Sequence, residues 1–226
     1  MSLMEIPASE AARQLGVHDS RVRRLIESGE LAARKVANRW LVDQSAVERR
    51  RLGRHDPGRL LEPENAWGLL FLASGEPAPW LASDARSRLR RRLGQASLRR
   101  DHPRLAKRAR AHYFRGGARA RAHLLRDPQF VRSGVSAAAR YGARVRSPGV
   151  LEGYLPEAAV QRLVYRFALQ PADERAADLV LRGVAGFWPF DARRLAPQAV
   201  VAADLFDSVD QRTRRAGEEL WRRRDR

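Results

Sequence analysis

The chain has 226 residues, with 44 Lys and Arg against 26 Asp and Glu, a formal net charge of +18 and a sequence pI of about 11.6. That length holds a small module plus one domain of ordinary size, and an apolar fraction of 44% excludes a disordered chain. Cysteine is absent, which excludes disulfide frameworks, thiolate zinc sites and cysteine nucleophiles.

In chain order, Ile6 to Leu15 places Ala8, Ala11, Ala12 and Leu15 on one helical face. Gly16 suits the left-handed end of that helix, with Val17 expected to plug the corner beneath it. His18-Asp19-Ser20 offers N-cap side chains for a second helix that buries Val22, Leu25 and Ile26 and stops at Gly29. On this helix Ser20, Arg24 and Glu27 point away from the buried trio, and Arg21 and Arg23 lie on its flanks. Leu31 to Val42 reads as a hairpin turning at Ala37-Asn38, since Asn tolerates a positive φ. Asp43 caps a third short helix through Val47 to Arg51.

Ser9-Glu10-Ala11-Ala12, Leu15-Gly16-Val17, Val22-Arg23-Arg24-Leu25-Ile26, Gly29-Glu30-Leu31 and Asn38-Arg39-Trp40 resemble the DNA-binding module shared by MerR-type regulators and phage excisionases. The resemblance implies a winged helix-turn-helix over residues 1–52, whose second helix enters the major groove of double-stranded DNA while the wing reaches flanking backbone. Carried over by position, Ser20, Arg21, Arg23 and Arg24 would be groove or phosphate contacts, and Arg34, Lys35, Asn38 and Arg39 wing contacts. Pro7 and His18 depart from the pattern, standing where the family commonly has a Ser or Thr cap.

Residues 53–62 lack apolar periodicity and read as a linker. Pro63 suits the first turn of a helix with Trp67, Leu70, Phe71 and Ser74 on one face, ended by Gly75. Ser83 or Asp84 is placed to cap the next helix, which buries Leu89 and Leu93 and stops at Gly94. Further helices are expected from Pro103 to Tyr113 and from Ala118 to Leu125. Between Arg86 and Arg126 there are fifteen Arg or Lys and one acid, Asp101. Arg90, Arg91, Arg92, Arg99, Arg100 and Arg108 are candidates for a second basic surface along a nucleic-acid backbone. A solvated face of Ala/Arg helices is the alternative, because Lys35 and Lys107 are the only lysines and an arginine-rich composition also follows from a GC-rich genome.

From Leu151 to Asp210 nine acids face six arginines, so the sign reverses. Pro156 begins a helix with Val160, Leu163, Val164 and Phe167 on one face, a spacing that fits better than a strand through Leu163-Val164-Tyr165, and Leu179 to Val184 is short, apolar and partly β-branched, as in a strand. Asp207 is placed to cap a final helix through Val209, Ala216, Leu220 and Trp221. Trp188, Phe190 and Phe206 are candidate partner-binding residues, since consecutive aromatics in a loop cannot all face one core. A turn at Gly186 and Pro189 that folds the rings inward is the alternative.

No catalytic constellation is expected. The five histidines show no zinc-binding spacing, and neither a phosphate-cradling P-loop nor a GxSxG elbow is present. Asp204, Asp207 and Asp210 are spaced to share a helix face, where Mg²⁺ is one reading and a cap plus surface charges the simpler one. No metal or cofactor is expected. Val200 to Ser208, with Asp210, Arg212, Arg215-Ala216-Gly217 and Leu220, is similar to the closing segment of AbiEi-like antitoxin regulators, which accompany nucleotidyltransferase-type toxins. No apolar run approaches the ~20 residues of a membrane span, and Met1 to Glu5 lacks a secretory signal's basic start, so a cytoplasmic protein is expected.

These readings make the chain α+β and mostly helical: a winged helix-turn-helix, a basic helical middle and a small α+β C-terminal domain within residues 63–226. The expected function is a DNA-binding transcriptional regulator, with an autoregulating antitoxin that holds a toxin as the narrower form. An excisionase-like architectural factor and an RNA-binding protein are the alternatives. A homodimer would have to form through the C-terminal domain, because no long heptad helix is visible.

Overall fold

The structure is a computed structural model that describes residues 5–37, 39–52, 60–94, 96–145, 147 and 149–223. Its contacts divide the chain into Met1–Asp56 and Pro57–Arg226. Of the expected linker, residues 53–59 lie outside the described residues. Leu61 is already part of the second unit, where its N–H donates to the Arg104 carbonyl at 3.0 Å.

The first unit opens with β1 (Glu5–Pro7), a strand that the helical reading of Ile6 missed. Then come α1 (Ala8–Leu15), α2 (Asp19–Glu27), β2 (Ala33–Val36), β3 (Arg39–Asp43) and α3 (Gln44–Leu52). The three strands form an antiparallel sheet in the order β1-β3-β2. Gly16 ends α1 at φ 61°, and Val17 N–H returns to the Ala12 carbonyl at 3.0 Å, the double closure of a left-handed helix end. Val17 does not plug the corner: its side chain is exposed, and Ala11, Leu15, Val22, Leu25, Leu31, Val42 and Val47 fill the core instead. His18 serves as the cap of α2, its Nδ1 accepting from Ser20 N–H at 3.4 Å. Asp43 caps α3 through Ser45 N–H at 2.8 Å. The hairpin turn takes its positive φ, 44°, at Ala37; Asn38 lies outside the described residues.

The second unit is built on a five-stranded sheet. Its elements are α4 (Pro63–Ala73), α5 (Ser83–Leu93), α6 (Leu98–Asp101), a 3₁₀ segment (His102–Arg108), β4 (Arg110–Arg115), α7 (Ala118–Arg126), β5 (Val131–Arg132) and α8 (Gly134–Ala137). After a second 3₁₀ turn (Ala138–Tyr141) follow β6 (Leu151–Pro156), α9 (Glu157–Phe167), β7 (Gln170–Pro171), β8 (Leu179–Val184), α10 (Gln198–Asp207) and α11 (Gln211–Arg222). The strand order is β5-β6-β8-β4-β7, with β6 and β8 parallel and joined by the α9 crossover, and the other pairs antiparallel. Alternation along the strands sends Leu151, Leu155, Leu179 and Leu181 to one face, against Leu124 of α7 and Val160 and Leu163 of α9. Glu152, Tyr154, Arg182 and Val184 face the other side, where Tyr154 and Val184 pack in the same core as α4, α10 and α11. That core is aromatic: Trp67 meets Tyr154 and Phe190 edge to face at 5.2 and 5.1 Å. The α4 helix is apolar all round, so Leu69 is buried along with the expected face of Trp67, Leu70 and Phe71.

Three expectations are corrected here. Pro103 to Tyr113 is not one α-helix: Pro103 lies in the first turn of the 3₁₀ segment His102–Arg108, and Arg110–Arg115 is a strand between β8 and β7. Pairing with β8 outweighs the helical propensity of its Ala and Arg, so one strand of the sheet runs through a basic middle whose other elements, α5, α6, the 3₁₀ segment and α7, are helical. Asp207 is the last residue of α10, and the cap of α11 is Asp210, which accepts from Thr213 N–H at 2.7 Å. The N-cap of α5 is Ala82, with Ser83 and Asp84 already inside the helix. Overall the chain is a mixed α+β structure, about half helical.

Candidate nucleic-acid interface

The α2 helix buries Val22 and Leu25 and leaves its other sides to solvent. Ser20, Arg21, Arg23 and Arg24 are all exposed, as the 3.6-residue period requires. The three arginine side chains make no ion pair among the described residues. Arg13, by contrast, pairs with Glu10, Arg34 with Glu5 and Arg50 with Glu30. Ser20 Oγ lies 3.1 Å from His18 Nδ1, so the start of the helix is held by its own cap. A helix presenting three unpaired guanidiniums can meet phosphates and the O6/N7 edge of guanine.

The hairpin separates the four expected wing residues. Lys35 is cross-strand from Trp40, with its ammonium 5.8 Å from the Trp40 ring centroid. Arg39 is exposed and makes no ion pair among the described residues, whereas Asn38 lies outside them. Arg34 sits on the opposite face from Lys35, where its Nε and Nη2 bind the Glu5 carboxylate at 2.7 and 2.8 Å. That hydrogen bond holds the Glu5 carboxyl below its ordinary range. Arg34 is therefore a strand-to-strand tie, with its charge already matched.

In the second unit the six basic candidates also divide. Arg90, Arg91, Arg99 and Arg100 are exposed, with Arg99 pairing to Glu218 at 2.8 Å and Arg100 to Asp101 at 3.6 Å. Arg92 reaches the buried Asp101 at 2.5 Å. Arg108 is a correction: its side chain is 4% exposed, and it bridges Asp204 at 3.0 Å and Asp207 at 2.5 Å. It belongs to the interior because α10 delivers two carboxylates to it.

Two of the three aromatic candidates are corrected for the same kind of reason. Phe190 is fully buried against Trp67, Tyr154 and Trp188, and Phe206 is buried in α10 beneath the Arg214 guanidinium. Gly186, at φ 71°, provides the turn that folds the segment inward. Trp188 is half-buried and stands edge to face on Phe190, 5.2 Å away. Phe190 and Phe206 are core, Trp188 packs against that core while partly exposed, and residues 200–220 form a packed α10–α11 hairpin.

One cluster was not expected from the sequence. Arg182, in the middle of β8, binds Glu152 Oε1 at 2.9 and 2.7 Å and Asp207 at 2.5 Å. Asp204 accepts from Tyr154 Oη at 2.6 Å, from Ser133 Oγ and from Arg108. His102 Nε2 lies 2.7 Å from Asp207. Burial works against the charged forms of both guanidiniums, but the facing carboxylates outweigh it and hold Arg108 and Arg182 above the ordinary arginine range. Burial would likewise raise Asp207, yet Arg108, Arg182 and His102 hold it well below the usual carboxylate range. The Glu152 carboxyl is pushed up by burial, partly offset by Arg182. Two arginines thus neutralise Asp204 and Asp207, and no group of His, Asp and Glu placed to hold a metal occurs among the described residues. A charge in the middle of each of two apolar strands, Glu152 in Leu-Glu-Gly-Tyr-Leu and Arg182 in Leu-Val-Leu-Arg-Gly-Val, was the available signal.

No helix among the described residues is long and apolar enough to cross a membrane. No curated protein and no solved structure matches the chain. Residues 8–54 match a family model described as a helix-turn-helix domain, and this part of the chain is such a domain, consistent with the excisionase and MerR type.

Proposed function

We propose that the chain is a sequence-specific DNA-binding regulator of transcription, with α2 as its reading helix and β2–β3 as its wing. The observation that carries this reading is the set of three exposed arginines, without an ion pair among the described residues, on the second helix of a helix-turn-helix domain. Arg24, flanked by Arg21 and Arg23, is the residue for base edges, and Lys35 and Arg39 are the wing contacts. Arg90 and Arg91 give the second unit an exposed basic face able to add phosphate contacts. The chain acts by binding and not by catalysis. Such a role places it in the compartment that holds the DNA. The reading does not call on a toxin partner, since Phe190 and Phe206 are committed to the core.

Selection from random duplexes with the full chain tests the proposal. One enriched motif, lost in the Arg21→Ala, Arg23→Ala, Arg24→Ala triple variant, is the expected result, and the motif's symmetry reports whether a dimer binds. Equal recovery of all duplexes, or tighter retention of a single-stranded RNA competitor, would overturn it. The excisionase-like reading rests on the same helix-turn-helix domain and predicts strong bending of the bound duplex. Circular permutation of the selected site separates the two.

A further inference from the structure

We propose that the second unit holds a binding site for a phosphorylated small molecule, in the cleft between the sheet face carrying Glu152 and Arg182 and the start of α11. The cleft has a volume of about 1200 Å³, enough for a nucleotide-sized ligand. Val145, Val150 and Val180 give it an apolar wall, and Tyr113 adds an aromatic side chain.

Its charges decide the ligand. Four acids line the cleft, and each is engaged by internal donors. Glu152 takes Arg182 and Val135 N–H, the latter at 2.9 Å, and Asp204 takes Tyr154, Ser133 and Arg108. Glu174 accepts from Ser208 Oγ at 2.9 Å and Val209 N–H at 2.8 Å, which ties the α10–α11 connection. Asp210 accepts both Thr213 N–H and Thr213 Oγ1 at 2.7 Å. Of the four arginines, Arg182 is consumed below the floor, but Arg144, Arg175 and Arg212 are exposed and make no ion pair among the described residues. The cleft therefore offers, beside engaged anions, three exposed cations that close no ion pair among the described residues, of which Arg212 also helps hold the neighbouring Asp210 carboxyl below its ordinary range. The Asp210 cap already occupies the α11 N-terminus, so the guanidiniums are the anchors and the helix end is not. Guanidiniums pair with phosphate oxygens through parallel N–H···O bonds, and the apolar wall suits the uncharged body of such a ligand.

The floor is built to stay in place. The ion pairs of Glu152, Arg182 and Asp207 tie β6 and β8 to the end of α10, so the floor of the cleft is braced, while Arg144 and Arg175 stand on the connections that precede β6 and β8 and Arg212 in the first turn of α11.

The test uses the full-length protein, with inorganic pyrophosphate and adenosine diphosphate as probes at constant ionic strength set by sodium chloride. Thermal unfolding should shift upward saturably with at least one probe, as linkage requires of a ligand that binds only the folded state. The shift should vanish in the Arg144→Ala, Arg175→Ala, Arg212→Ala variant and persist in the variant lacking Arg21, Arg23 and Arg24. If the triple cleft variant melts lower than the parent without ligand, the single Arg175→Glu takes its place. No saturable shift with either probe, a shift equal in parent and cleft variant, or a shift that follows the α2 arginines would overturn the proposal.

Discussion

Arg34 and Glu5 close a bidentate ion pair across the three-stranded sheet, at 2.7 and 2.8 Å, from strands that are not neighbours. The pair turns an arginine expected to touch DNA into a brace between the start of the domain and its hairpin. Arg34→Ala should therefore leave DNA affinity within about twofold, since a matched surface charge adds little to binding. Glu5→Gln should do the opposite and strengthen non-specific binding, because it frees a guanidinium on the hairpin. Titration of both variants against random duplex decides this; a large loss with Arg34→Ala would restore it to the interface.

Arg24 and Arg23 are neighbours on α2 with different expected roles. Arg24→Ala should cost about 1–3 kcal/mol at the selected site and relax base preference at one position, as loss of a guanine contact does. Arg23→Ala should weaken specific and random duplex alike and lower the log–log salt slope by about 0.9, the signature of one phosphate contact. Binding isotherms at several salt concentrations separate the two; identical behaviour would assign both to phosphate.

Arg108 and Arg90 test whether the basic middle is one surface or two kinds of residue. Arg108→Ala leaves Asp204 and Asp207 short of a counter-charge in the interior and should cost about 3–5 kcal/mol of stability, read from urea unfolding. Neutralising Arg90 and Arg91 together should leave stability unchanged and act on the salt dependence of DNA binding alone. A flat salt response would make those two a solvated face of α5.

The residues that were legible in the sequence are those whose partners are close in the chain. Val22, Leu25 and Gly29 define α2 by local spacing, Asp43 caps α3 two residues on, and Leu179 to Val184 is a strand by its own composition. What escaped depends on distant chain. Arg110–Arg115 is a strand because β8 lies beside it, some seventy residues later, against its own helical propensity. Arg108 looked like one more surface arginine until α10 placed two carboxylates next to it. Phe190 and Phe206 could have been loop aromatics, and only the packing of α4 and α10 decides that they are core. On the binding face the residue identities were legible, but whether a guanidinium is matched depends on where each acid lands, as Glu5 shows for Arg34.

Asp207 makes the buried cluster sensitive to acid in a defined direction. Burial alone would raise its carboxyl, but Arg108, Arg182 and His102 depress it well below the ordinary range. A carboxyl whose folded value lies below its unfolded value, about 3.9, stabilises the fold above that value and loses the contribution as pH falls through the folded one. Asp207→Asn, nearly the same shape without the charge, should therefore lower the urea midpoint at pH 7. The gap from the parent should begin to narrow as pH falls below about 4. Glu152 works in the other sense: burial raises its carboxyl, so its ionisation opposes folding as pH rises through the raised value. Part of the acid loss at Asp207 is thus offset at Glu152 in the parent, and Glu152→Gln should remove that offset and steepen the acid limb. Urea midpoints of parent, Asp207→Asn and Glu152→Gln between pH 3 and 7 test both signs. A gap between the parent and Asp207→Asn that stayed constant across this range would show that the amide fails for reasons of shape, and that ion pairing to Arg108 and Arg182 is not what Asp207 contributes.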